Sequence, residues 1–425
     1  MLTPDQQSAI PLGFSQIPLN EASKRALIEL DTWAFPACQD VDDLASWPFP
    51  LDLERTRAWS PDGQAAPIAM HTSYAFAQFP VPGATVAAAG LSWVGVHPQY
   101  RRRGLLRAMI GTHFDDCARR GEALSVLTAS EPGIYGRFGY GLASRVVGVQ
   151  IPRGAELRQV AGADQVDVRF ERFDEAVHGP VVARLHRHIA TATPNRPGWV
   201  TRDTDALRSS FGYDPQALRG GFEERRIMIA GREDATGYAL FRRKLDWSGA
   251  GAQGVAKVEE LAATDAASRA ALWSRLLDLD LIKTVTARLL PIDDPLLQLL
   301  VDPRAAEPQV SDNLWVRLVD VPSALVARHY AAPLDLAIRV NDHLLPHNSR
   351  CWRLRARPFS DDIHVEPAAQ ASVELDIADL GALYLGGTSA ASLAAAGLIT
   401  GDAAAIAQLS AAFGWGLQPA SSWIF

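Results

Sequence analysis

The segment from Thr85 to Arg120 constrains the fold more than any other part of the chain. An apolar run, TVAAAGLSWVGV at 85–96, reads as a buried strand. It passes through the polar loop His97-Pro98-Gln99-Tyr100-Arg101-Arg102-Arg103-Gly104 straight into a helical pattern over 104–120. A second apolar run, LSVLTA at 124–129, follows. Strand, loop, helix and strand within about 45 residues is an α/β unit. At the start of such a helix the first backbone N–H groups are unpaired, and with the macrodipole they form an anion site. Gly104 has no Cβ to keep an anion away, and the arginines add bidentate donors.

At 425 residues the chain is too long for one core, and three blocks emerge: 1–152, 153–300 and 301–425. Each mixes helices and strands, so the fold class is α/β (α+β). The second block carries strands at 237–243 and 255–261 followed by a helix at 265–280. It echoes the first block without its arginine loop. Apolar residues make up 48% of the chain and charged ones 21%, as in ordinary globular proteins. A net charge of −7 argues against nucleic acid or an anionic membrane as partner. No membrane-length apolar run and no signal-peptide pattern occur, and three scattered cysteines (Cys38, Cys117, Cys351) suit a reducing cytoplasm. Neither the cysteines nor His186 and His188, on different sides of a helix, make a metal pair, so no metal is expected.

A second informative segment is Ser130-Glu131-Pro132-Gly133-Ile134-Tyr135-Gly136-Arg137-Phe138-Gly139-Tyr140-Gly141. Its four glycines and two tyrosines after a strand indicate a tight, irregular turn beside a site.

The pattern strand-Pro-x-x-Arg-Arg-x-Gly-x-x-helix resembles the acetyl-CoA diphosphate loop of the GNAT superfamily, with Leu106 where a small residue is usual. RRRGLLRAM followed by YGRFGYG narrows the resemblance to the enhanced-intracellular-survival (Eis) acetyltransferases, which acetylate aminoglycosides at several amines. ALWSRLLDLD, NLWVRLVDVPSALVARHYA, LYLGG and the closing LSAAFGWGLQPASSWIF extend it along all but the first ~60 residues. The resemblance implies tandem GNAT folds, the second degenerate and without cofactor, plus a C-terminal sterol-carrier-protein-like domain. It also implies a homo-hexamer.

Carried over residue by residue, Ser92, Val94, Gly95 and Val96 would lie beside the pantetheine. Arg101, Arg102, Arg103, Gly104, Leu105, Leu106 and Arg107 would wrap the diphosphate, and Ser130 and Glu131 would complete the acetyl-CoA set. Tyr135 would be the general acid, and the carboxylate of Phe425 the general base. Amine acetylation needs both: a lysine-like ammonium (pKa ~10.4) must lose a proton, and a thiolate (pKa ~8.5) must gain one. Trp33, Phe35 and Trp93 would form an aromatic wall for the amine. The resemblance places an acid beside the terminus where this chain has Ile424. Candidate groove acids are Asp31, Asp40, Asp42 and Asp43. The expected substrates are aminoglycoside-like amines or polyamines. Acetylation of protein lysines and a non-catalytic lipid-binding scaffold are the alternatives.

Overall fold

The computed structural model describes residues 10–36, 39–47 and 51–425; Cys38 lies outside them. Strand Ala84–Val96 leads through a helical turn, Pro98–Tyr100, and the arginine loop into helix Leu105–Arg120, then into strand Leu124–Thr128. The two strands are parallel but pair only at Ala88–Leu124, Ala89–Ser125 and Gly90–Val126. Beyond Gly90 the first strand continues to Val96, but its ladder to Leu124–Thr128 ends, so the two strands part like a V. They belong to a seven-stranded sheet ordered Phe14–Ile17, Arg57–Pro61, Ala69–Val81, Ala84–Val96, Leu124–Thr128, Leu314–Leu318, Gly141–Leu142.

The second sheet repeats this centre. Strands Gly254–Ala263 and Ile282–Pro291 flank helix Ala266–Leu277 and pair in parallel from Gly254–Ile282 to Val258–Ala287. Where the first unit has its arginine loop, this one has Thr264 and Asp265, whose carboxylate caps the helix through Ser268 N at 2.8 Å. An acid at that helix start repels a diphosphate.

Sheet membership does not follow the sequence blocks. Strand Arg145–Pro152, in the block ending at 152, pairs in the second sheet with Ile282–Pro291 and Gln309–Asp312. Strand Leu314–Leu318, in the block starting at 301, inserts into the first sheet beside Leu124–Thr128. The chain therefore crosses between sheets at Ser144 and again at Asn313, and the Ser144 hydroxyl donates to Asn313 Oδ1 at 2.9 Å. Hydrophobic patterning shows that a strand exists, while its sheet depends on partners far away in sequence.

The third unit has a five-stranded sheet with Leu334–Asn341 at its centre, and its helix Ile377–Tyr384 packs on the first sheet. Gly141 permits that approach: a Cβ there would lie 1.8 Å from Ala378 O. Phe76 and Phe79 of the first sheet share one core with Leu336, Leu354 and Leu383 of the third unit. A fully buried ion pair, Arg317 with Asp342 at 2.7 Å, crosses the same boundary. Among the described residues no helix is long and apolar enough to cross a membrane.

Candidate active site

The arginine loop is shaped for close backbone approach. Arg102 and Gly104 both take positive φ, 62° and 85°, so the loop doubles back before Leu105 begins the helix. Gly104 is the helix N-cap and offers no side-chain cap, which leaves the first N–H groups free for an anion. Arg101, Arg102, Arg103 and Arg107 are exposed, and among the described residues none is held in an ion pair. Arg103 rests over the Tyr100 ring, 5.2 Å from its centroid. Leu105 faces the opposite way and is buried against Trp59 and Met109.

The same strand carries a bulge. Its partner Ala69–Val81 pairs Met70 with Gly95 and Thr72 with Ser92, so Trp93 and Val94 oppose His71 alone. Trp93 takes φ 53°, a strained conformation for a bulky residue. The bulge and the parted strands open a cleft of about 900 Å³. Ser92, Trp93, Val94, Ser130 and Tyr135 line one side, with Asp31 and Phe35 from helix Lys24–Ala34 and the residue after it. Phe211, Tyr213, Arg225, Lys257, Glu259 and Arg288 enter from the second unit, and Ser422 to Phe425 from the far end of the chain.

Tyr135 sits between two helical turns, Pro132–Ile134 and Gly136–Phe138, with its ring edge-on to Tyr140 at 5.8 Å. Burial, with Glu131 nearby, pushes its hydroxyl up to about 12, so it keeps its proton at neutral pH. Phe425 reaches the cleft across 297 residues of sequence, and its terminal carbonyl oxygen accepts from Thr128 Oγ1 at 3.0 Å. Its ring packs edge-on against Phe76 at 4.9 Å and Tyr74 at 5.9 Å. Gly90 makes room for this packing, since a Cβ there would fall 2.3 Å from Phe76 and 3.1 Å from Phe425.

Among the candidate acids only Asp31 faces the cleft. Desolvation pushes it up to about 7, and its Oδ1 is buried without a hydrogen-bond partner among the described residues. Asp40 instead caps helix Val41–Ala45, and Asp42 pairs with Arg25 at 2.8 Å. Trp33 is not in the wall: it is 55% exposed and meets His97 edge-on at 4.9 Å. Asp31 and Phe35 are four positions apart and share a face, while Trp33 lies two positions along, on another. Ile424 lines the cleft and is 64% exposed.

Three stretches match known domain families: residues 17–143 and 198–318 each match an acetyltransferase (GNAT) domain, and 321–422 a sterol carrier protein domain. An uncharacterised N-acetyltransferase of Streptomyces coelicolor is 37% identical over 365 residues, covering 85% of this chain and 87% of that protein. N-acetyltransferase Eis of Mycobacterium tuberculosis is 33% identical over 364 residues, 78% of this chain and 80% of that one. The chain belongs to the Eis family of N-acetyltransferases.

The solved structure of Eis1 from Mycobacterium abscessus superposes with a TM-score of 0.79 at 30% identity, covering 97% of this chain and 100% of that one. A GCN5-related N-acetyltransferase from Anabaena variabilis shares the fold, with a TM-score of 0.81 at 18% identity. The enzyme is thus an acetyltransferase with two GNAT domains and a C-terminal sterol carrier protein domain.

Several residues of this Eis-family cleft carry no local signal in the sequence. Thr128 ends an ordinary apolar strand, and Lys257, Glu259 and Arg288 belong to strands of another domain. Gly90 alone could have been suspected, because glycine inside a strand often marks a close approach.

Proposed function

We propose that this enzyme transfers acetyl from acetyl-CoA to a primary amine in the 900 Å³ cleft, with Tyr135 as general acid and the α-carboxylate of Phe425 as general base. The observation that carries the proposal is the meeting of Tyr135, Thr128 and Phe425 at the mouth of the parted strands. Acetyl-CoA fits the residues present: exposed Arg102, Arg103 and Arg107 with the capless helix start suit its diphosphate, and Ser92, Val94 and Val96 run beside the gap. When bound it supplies an activated acetyl thioester. The chain's own groups manage the protons. The Phe425 carboxylate, held by Thr128, takes one from the substrate ammonium, and Tyr135 Oη holds one for a leaving sulfur. Backbone N–H groups along Val94–Val96, beside the gap, suit a carbonyl oxygen gaining charge.

Asp31, whose Oδ1 has no hydrogen-bond partner among the described residues, is the anchor for an acceptor ammonium. The cleft is not uniformly acidic, however. Glu259 is bound by Arg225 at 2.8 Å and Arg242 at 2.7 Å, while Lys257 and Arg288 have no ion-pair partner among the described residues. With Ile424 at the terminus, this supports small amines with one or two ammonium groups over aminoglycosides carrying four. The test is direct: acetyl-CoA should raise the melting temperature, and free CoA should appear when such amines are added. Absence of CoA release across monoamines, polyamines and aminoglycosides would refute the proposal. A cytoplasmic homo-hexamer completes it, to be checked by light scattering.

A further inference from the structure

The second GNAT domain keeps the parted strands but not the arginine loop, and its gap holds the chain's own C-terminal segment. Beyond Val258 and Ala287 the strands Gly254–Ala263 and Ile282–Pro291 separate, and a cavity of about 270 Å³ opens there. Leu417 and Ser422 line it together with Glu260, Leu261, Thr264, Arg269 and Leu289. The floor of this socket is a buried charge cluster. Glu260 is 4% exposed and accepts from Arg202 at 2.5 Å, Tyr238 Oη at 2.5 Å and Ser422 Oγ at 2.5 Å. Desolvation opposes its ionisation, but Arg202 and His186 hold the carboxyl well below the usual range. Arg202 also reaches Ser422 Oγ at 3.5 Å and lies over the Phe211 ring.

One residue earlier the segment is clamped from the other side. Ser421 N donates to Asn313 Oδ1 at 2.7 Å, and Asn313 Nδ2 donates to Ser421 O at 3.2 Å. Asn313 is the residue at which the chain crosses from the second sheet to the first. Three residues past Ser422, Phe425 meets Thr128 in the first domain. Burying an ionised carboxylate costs far more than a serine anchor requires, unless fixed geometry is what it serves.

We propose that Glu260, acting through the Ser422 hydroxyl, is a positioning residue for acetyl transfer, and that the duplicated cofactor gap has become the socket of the catalytic tail. The proposal rests on the Phe425 carboxylate being the base. A charge-assisted hydrogen bond with no slack fixes the tail at Ser422, and Thr128 fixes it at its end, so the carboxylate stays over the first domain's gap.

The test compares Ser422→Ala, Glu260→Gln, their double mutant and an enzyme extended by one glycine after Phe425. Ser422→Ala removes one hydroxyl, so it folds even where Glu260→Gln does not. It should lower kcat about tenfold and leave acetyl-CoA affinity unchanged by calorimetry. A carboxypeptidase specific for aromatic C-termini should release Phe425 about tenfold faster than from the parent enzyme. The double mutant should lose no more activity than Glu260→Gln alone, because both act through one bond. Unchanged kcat in Ser422→Ala, with or without faster release of Phe425, overturns the proposal. If the glycine extension abolishes turnover while Ser422→Ala releases Phe425 at the parent rate, the anchor is refuted and the base reading stands. If the extended enzyme turns over at full rate, the base reading falls and takes this proposal with it.

Discussion

Appending one glycine after Phe425 is the sharpest perturbation of the catalytic reading. The tail is held at both ends of its last four residues, by Glu260 on Ser422 and by Thr128 on the Phe425 carbonyl oxygen at 3.0 Å. The ring is pinned by Phe76 at 4.9 Å and Trp423 at 5.6 Å, so it cannot slide outward to compensate. One added residue moves the free carboxylate by up to ~3.8 Å, while a hydrogen bond tolerates only a few tenths of an ångström. Loss of a general base costs about 10²–10⁴ in rate, so kcat should fall by that factor. Melting temperature and acetyl-CoA affinity should hardly change, because neither the core nor the arginine loop is touched. Phe425→Leu keeps the carboxylate and loses ring contacts worth about 0.5–1.5 kcal/mol each, so it should cost much less activity. The assay is CoA release under saturating acetyl-CoA, with binding measured separately by calorimetry. Full turnover in the extended enzyme would refute the reasoning.

Four further outcomes follow from the cleft. Arg102→Ala with Arg103→Ala should weaken acetyl-CoA binding by about 2–4 kcal/mol in calorimetry, with one site per chain before and after; unchanged affinity would move the diphosphate elsewhere. Asp31 is raised to about 7 in the folded enzyme, so its charge appears only as pH rises through that value. KM for a monoamine should therefore fall between about pH 6 and 8, a limb that Asp31→Asn removes. By the same sign, stability lent by the neutral carboxyl is full below about pH 4 and falls away as pH rises to about 7. Asp31→Asn should then melt higher than the parent at pH 8 and equal to it near pH 4. Finally, Ile424→Glu, or Lys257→Glu with Arg288→Glu, should lower KM for tetra-cationic amines more than for monoamines; equal effects on both would remove these residues from the acceptor path.

What the sequence determined by itself is local. The strand, the arginine loop with Gly104 and the helix start are contiguous, so their anion-binding geometry follows from neighbouring residues and is legible without a fold. The glycine-rich turn around Tyr135 is of the same kind, as is the lack of an arginine loop in the second GNAT domain. Tertiary structure alone decided the rest. The bulge at Trp93 exists because Met70 and Thr72 impose their register on Gly95 and Ser92, and nothing within the strand demands it. Asp31 faces the cleft and Trp33 does not, although both lie on one helix, because the packing of that helix chooses its inward face. The exchange of strands at Ser144 and Asn313, and the return of Phe425 to Thr128 across 297 residues, are closures of long loops. Such closures are unfavourable in conformational entropy until the contacts they permit have formed. Their outcome is therefore set by the assembled core and its few fixed hydrogen bonds, which no window of sequence contains.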